Sequence, residues 1–154
     1  MNYWLFKSEP GSFGIDDLAK SKRKTTSWDG VRNFQARNFM RDSMHKGDQG
    51  FFYHSGCDIP GIAGIVTVSR EAHPDMSAFA PDDDHYDPDS DPANPRWCAV
   101  DVTLLRKFDR LITLAQLREH ANTRLKDLLL LRKGNRLSIT PVRKTDWDFI
   151  LSLE

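Results

Sequence analysis

The sequence predicts an α+β domain, a mixed sheet curled toward a barrel with short helices on its flanks. Three observations predict it. About five stretches show the apolar alternation, or the β-branched and aromatic content, of strands. Three or four short stretches between them carry helix-capping signals. No linker and no internal repeat divides the 154 residues, a length suited to one core, so residues 1–154 read as one domain.

In chain order, Tyr3-Trp4-Leu5-Phe6-Lys7 is a short apolar strand stopped by Pro10, which puts Lys7, Ser8 and Glu9 at its end. Gly14 precedes a brief helix over 15–19. Residues 20–24 are a basic loop, read as solvated surface with a weaker case for touching phosphates. Trp28, Asp29, Gly30 and Val31 form a loop entering a helix from 34 to about 44, with Asn33 as its N-cap. Ala36, Phe39, Met40, Ser43 and Met44 make its buried stripe, and Asn33, Arg37 and Arg41 repeat every four residues along the edge.

Residues 49–54 read as a strand, 55–60 as a hairpin and 61–68 as the returning strand, whose glycines permit a bulge or close contact with a ligand. Tyr53, His54 and Ser55 then sit at the hairpin mouth. Residues 74–95 are a Pro/Asp-rich excursion. Asp87-Pro88-Asp89-Ser90-Asp91 opens like a calcium loop, but Pro92 and Cys98 stand where glycine and glutamate are required, so an EF-hand is rejected. Alternation over 96–107 predicts another strand. Thr113 and Gln116 form a capping box for a short helix. Residues 125–131 read as a helical turn or irregular core, 136–142 as a strand, and Thr145 as the cap of a last helix.

The net charge of zero hides a division. Residues 1–56 hold nine Lys/Arg against six Asp/Glu, 57–101 two against ten, and 102–154 eleven against six. That pattern excludes a protein gripping duplex nucleic acid through a broad basic face, so any such recognition is local. No apolar run approaches a membrane span, and Cys57 and Cys98 lack metal-ligand spacing. The expectation is a soluble cytoplasmic protein with free thiols and no cofactor or metal. Nucleophile motifs, Walker loops, dinucleotide fingerprints and metal-binding helices are all missing from the sequence. His54 alone among the histidines neighbours other candidate pocket residues. His45, His73, His85 and His120 read as ordinary surface or core histidines.

A flat aromatic, an acidic acceptor and a glycine leading into an arginine-bearing helix suit a grip on a planar polar ligand beside a phosphate. Equally, Trp28 reads as a core tryptophan with solvated arginines beside it. The segment alone leaves both readings open.

Five separated motifs in order resemble the EVE domain: residues 3–10, Trp28-Asp29-Gly30-Val31-Arg32-Asn33 with Gln35-Ala36-Arg37-Asn38, Gly47-Asp48 with Phe51-Phe52-Tyr53-His54-Ser55, Pro95-Arg96-Trp97, and Gly134-Asn135-Arg136-Leu137-Ser138 with Pro141-Val142. The resemblance implies a PUA-like pseudo-barrel related to YTH domains, and a pocket for a modified base, usually a modified cytosine in DNA. Carried over by motif, that pocket draws on Lys7, Ser8, Glu9, Trp28, Asp29, Gly30, Val31, Asn33, Tyr53, His54, Ser55, Leu137 and Ser138. Two positions depart from the family: Asp58 and Asp89 are acidic where basic residues are frequent. If they hold the strand flanking the pocket, affinity or ligand choice changes.

The expected partner is therefore nucleic acid, DNA or RNA, carrying a modified base, with no membrane and no identified protein partner. Trp28 and Tyr53 are expected to supply flat faces, and Asp29 to accept from an exocyclic amine. Backbone near Val31 and the side chains of Ser8, Asn33 and Ser55 would complete the edge, with Leu137 in an apolar wall. Arg32, Arg37 and Arg41 are expected to meet flanking phosphates. One rival is a small amidohydrolase-like enzyme acting on a modified nucleoside, with Lys7 and Glu9 on one strand face as amine and acid/base. Another is a module that works only through a protein partner at the acidic loop.

Overall fold

The computed structural model describes residues 1–154. Its strands are β1 (Tyr3–Ser8), β2 (Thr25–Trp28), β3 (Gln49–His54), β4 (Gly61–Pro74), β5 (Cys98–Thr113) and β6 (Ile139–Val142). Its α-helices are α1 (Pro10–Phe13), α2 (Ile15–Lys20), α3 (Phe34–Asn38), α4 (Leu114–Arg118) and α5 (Lys144–Ser152). All six strands form one sheet in the order β2-β5-β4-β3-β1-β6. The sheet is mixed: β1 runs parallel to β3, and every other pairing is antiparallel. A parallel pair requires a crossover, here the long segment carrying α1, α2, β2 and α3.

The sheet curls strongly. Trp28 in β2 and Phe6 in β1 lie four strand steps apart, which in a flat sheet is roughly 19 Å at about 4.8 Å per step. Their ring centroids are 5.2 Å apart. Edge strand β2 is thus folded back over the concave face, as in a PUA-like pseudo-barrel. The enclosed core contains Trp4, Phe6, Trp28, Met40, Phe52, Val66 and Ile139. A second core on the convex face contains Leu5, Phe51, Tyr53, Ile112, Leu117 and Trp147, covered by α4, α5 and the segment between α4 and β6. The alternation of Phe51, Phe52 and Tyr53 between these cores follows the two-residue period of a strand.

Local chemistry explains most boundaries. Asn33 Oδ1 accepts from the Ala36 amide at 3.0 Å, capping α3 as expected. The helix continues as a π-turn over Phe39–Ser43, closed by Met44 N donating to Phe39 O at 3.0 Å. Ala36, Met40 and Met44 are buried, as their spacing predicts. Thr113 and Gln116 make both bonds of the expected capping box. Thr145 does not cap α5. The Trp147 amide donates to Arg143 O, so the helix opens before Thr145 and places it inside the first turn.

The sequence reading missed β2, whose Thr-Thr-Ser-Trp composition is too short and polar to alternate visibly. It stopped β4 short because residues 69–74 pair where no side chain is fully buried, and it stopped β5 short although Phe108 and Ile112 beyond residue 107 are buried in the convex core. It also began β6 too early, at residue 136 rather than Ile139. The glycines of β4 do create register shifts, but Gly61 faces strand backbone rather than a ligand: a Cβ there would lie 2.6 Å from Ile112 O. No helix is long and apolar enough to cross a membrane.

Candidate nucleic-acid interface

Folding β2 over the sheet brings its end against the end of β1 and opens a cleft of about 310 Å³. Lys7 and Ser8 line it from β1, Phe13 from α1, Thr26, Ser27 and Trp28 from β2, then Asp29, and His85 from the long loop between β4 and β5. Both readings of Trp28 hold at once. It is 8% exposed and packs edge-on against Phe6 and Phe52, yet it also faces the cleft. A rigid core residue therefore forms part of the wall.

The polar groups of the cleft are tuned in opposite directions. Burial lowers the Lys7 ammonium below its ordinary pKa. Asp29 is exposed as a residue, but its carboxyl is pushed above the usual range by desolvation first and by the nearby charge of Asp75 second. Ser8 Oγ donates to Phe13 O at 2.6 Å, tying β1 to α1 at the cleft edge.

Behind Asp29 lies a built rim. Gly30 adopts φ +76°, and its amide donates to Asp75 Oδ2 at 2.8 Å. Arg32 Nη1 donates to the same oxygen at 2.9 Å, and Arg32 Nε and Nη2 donate to His85 O at 3.0 and 2.6 Å. Asp75 also accepts from the Ser77 amide and hydroxyl. Burial alone would raise the Asp75 pKa; the hydrogen bonds from Ser77, Arg32 and Gly30 outweigh it and hold the carboxyl below its ordinary value. Arg32 is thus an internal strap rather than the phosphate contact expected from sequence. Its guanidinium is committed to Asp75, Val31 O, Ser77 and His85 O.

Several expected pocket residues lie elsewhere. Tyr53 belongs to the convex core, on the opposite side of the sheet from Trp28, so the two cannot sandwich one base. Burial there raises its pKa. His54 Nε2 accepts from the Ile15 amide at 3.1 Å, holding the start of α2, and desolvation lowers its pKa. Ser55 and Ser138 meet β1 through backbone bonds, Ser55 N to Ser8 O and Lys7 N to Ser138 O. Leu137 N is held by Asn135 Oδ1. None of these lines the cleft. Glu9 lies past the end of β1 at the N-cap of α1, with its carboxyl beside Gly56, and is not paired with Lys7. Val31 is buried in the concave core, and the Asn33 oxygen is occupied by the α3 cap.

Arg37 and Arg41 line a separate groove of about 390 Å³ with Phe34, Arg96, Asp89 and Asp91. Arg37 lies over Phe34 at 4.7 Å, and Arg41 is chelated by Asp42 at 2.8 and 3.0 Å. Asp89 faces this groove, so its departure from the family's basic residue bears on the arginines and not on the cleft wall.

Sequence reasoning missed Phe13, Thr26, Ser27 and His85 as cleft residues. Thr26 and Ser27 were hidden with β2. His85 sits far along the chain from Trp28, in a loop whose composition signals only solvation, and no local signal marks it.

The comparisons agree with this architecture. The EVE domain model matches residues 2–153. Human thymocyte nuclear protein 1 is 44% identical over 168 residues, covering 99% of this chain and 74% of that protein. The crystal structure of human THYN1 protein in complex with 5-methylcytosine-containing DNA superposes with a TM-score of 0.94 at 43% identity, covering 99% of this chain and 97% of that one. A crystal structure of a Pseudomonas putida protein gives a TM-score of 0.92 at 44% identity, covering 98% of both chains. With the family model matching nearly its whole length and its curled sheet shared with these structures, the chain belongs to the EVE domain family.

Proposed function

We propose that the protein is a non-catalytic reader that takes one modified cytosine, extruded from DNA, into the cleft between β1 and β2. The observation that carries this reading is a base-sized cleft combining a rigid indole, a carboxylate and an ammonium, in a chain so similar to a protein crystallised with 5-methylcytosine DNA. Its volume is at the lower end of ligand pockets, roughly 300–1,000 Å³, which suits one base rather than a pair.

The chemistry matches cytosine's hydrogen-bonding edge. Asp29 accepts from the exocyclic amine, while the Lys7 ammonium and the Thr26 and Ser27 hydroxyls can meet ring acceptors. Trp28 offers an aromatic contact that the core holds in place. RNA carrying the same base would satisfy these groups equally, so the two are arms of the test. Catalysis is not part of the reading, because Lys7 and Glu9 do not form the pair a hydrolase mechanism needs.

Phosphate contacts fit best on the turn Lys22–Lys24, which leads directly into the cleft-lining strand. None of Lys22, Arg23 and Lys24 is paired with a carboxylate. Arg37 and Arg41 share their groove with two aspartates and are the secondary candidates. Both cysteines are free, which fits a reducing compartment, nucleus or cytoplasm alike.

The test is an equilibrium titration of single-stranded and duplex DNA and RNA oligonucleotides, with and without one 5-methylcytosine, against wild type and Asp29→Asn. The reading expects preference for the modified DNA and its loss in the variant. Equal affinity for modified and unmodified strands contradicts it.

A further inference from the structure

We infer that His85 supplies the second flat face of the base cleft and that Arg32 is its positioning residue; this rests on the reading of the cleft as a base pocket. A planar ligand held against one indole face needs a second surface opposite or beside it. Tyr53 is on the other side of the sheet, and Phe13 is packed against the concave core. His85 is the remaining ring lining the cleft, belongs to neither core, and has a side chain 47% exposed.

Its placement is specified from three sides. The imidazole rests on Gly30: a Cβ at that position would lie 2.7 to 2.9 Å from Cε1, Nε2 and Nδ1 of the ring. Only glycine allows the ring this position while also supplying φ +76°. The His85 carbonyl is gripped by two Arg32 nitrogens, and Arg32 is anchored on the buried Asp75 carboxylate. The His85 amide donates to Asp83 Oδ1 at 2.8 Å, and Nδ1 lies 3.3 Å from the same oxygen. A ring whose backbone is fixed at both N–H and C=O loses little freedom when it meets a ligand. The acidic loop therefore contributes to base selection, and is more than a solvated excursion.

The test measures affinity for a single-stranded DNA with and without one 5-methylcytosine, using wild type, His85→Ala, His85→Phe, Arg32→Lys, the Arg32→Lys/His85→Ala double variant and Asp29→Asn, with thermal unfolding of each. His85→Ala should weaken binding roughly 5- to 150-fold, the fold-change of one lost stacking face, and His85→Phe should restore most of it. Arg32→Lys should weaken binding as well, and the double variant should be no weaker than His85→Ala alone, since both act through one ring.

Wild-type affinity in His85→Ala overturns the inference. So does equal loss in His85→Phe without loss of folding, because the ring's face would then be irrelevant. Additive losses in the double variant overturn the positioning role of Arg32. If Asp29→Asn loses binding while His85→Ala does not, only the role of His85 fails. If wild type shows no preference for the modified strand, the base-pocket reading fails and this inference falls with it.

Discussion

Arg32 and Asp75 form an ion pair of 2.9 Å in which the Asp75 side chain is fully buried and the Arg32 side chain is 22% exposed. The pair joins the loop after β2 to the loop after β4, and Gly30 and His85 both hang from it. Asp75→Ala would leave Arg32 without its carboxylate partner and the Gly30 amide without its acceptor. Urea denaturation should show a loss of about 3 kcal/mol, the lower end for breaking a buried pair, since Arg32 keeps some water. Because the native Asp75 pKa is depressed, its contribution is complete above the unfolded carboxylate value near 3.9 and is lost as pH falls through the lower native value. The deficit of an Asp75→Asn variant should therefore shrink in acid.

Gly30→Ala imposes a left-handed conformation on a residue with a Cβ and drives that Cβ into the His85 ring. The backbone term alone is about 1–2 kcal/mol. Thermal unfolding should show that loss, and binding of the modified strand should fall further than stability, as the ring is displaced from the cleft.

His54 reports on the start of α2. Its lowered pKa means that its neutral, accepting form stabilises the fold fully above the unfolded value of about 6.5, and that this contribution declines as pH falls through the native value. Stability measured by denaturation between pH 7 and 5 should drop more steeply for wild type than for His54→Gln, which keeps an acceptor for the Ile15 amide but does not titrate.

Salt dependence separates the two candidate phosphate surfaces. Each phosphate contact on a single strand contributes a slope of roughly −0.7 in log affinity against log salt. Replacing Lys22, Arg23 and Lys24 by alanine should flatten the slope by roughly 1–2 units. Replacing Arg37 and Arg41 should change it less, since both share their groove with Asp89 and Asp91 and Arg41 is chelated by Asp42.

Trp28→Ala is a poor probe of recognition despite its place in the cleft. The indole is wedged between Phe6 and Phe52, so its removal should cost about 3–5 kcal/mol of stability. Loss of binding in that variant should coincide with a lowered melting temperature, whereas Asp29→Asn should lose binding with little change in melting.

What was legible in the sequence follows from whether the signal was local. Gln49–His54, the cap at Asn33 and the box at Thr113 are set by near neighbours, and each appears as read. The curled mixed sheet was legible through strand content and family motifs together. Strand β2 was not, because it is stabilised by pairing with β5 rather than by its own apolar pattern. Tyr53 was misplaced although the period of two predicts that it shares a face with Phe51 and not with Phe52. Arg32 and His85 were beyond reach: an arginine's partner depends on which distant loop folds beside it, and here that loop is Asp75 to His85.

The most direct test of the base pocket is a nuclear Overhauser measurement on the complex with an oligonucleotide labelled with ¹³C at the 5-methyl group of one 5-methylcytosine. The expected result is cross-peaks from that methyl to side-chain protons of the cleft, among them Trp28, Thr26 and His85. Cross-peaks confined to the Phe34 and Arg37 groove, or none at saturation, would contradict it.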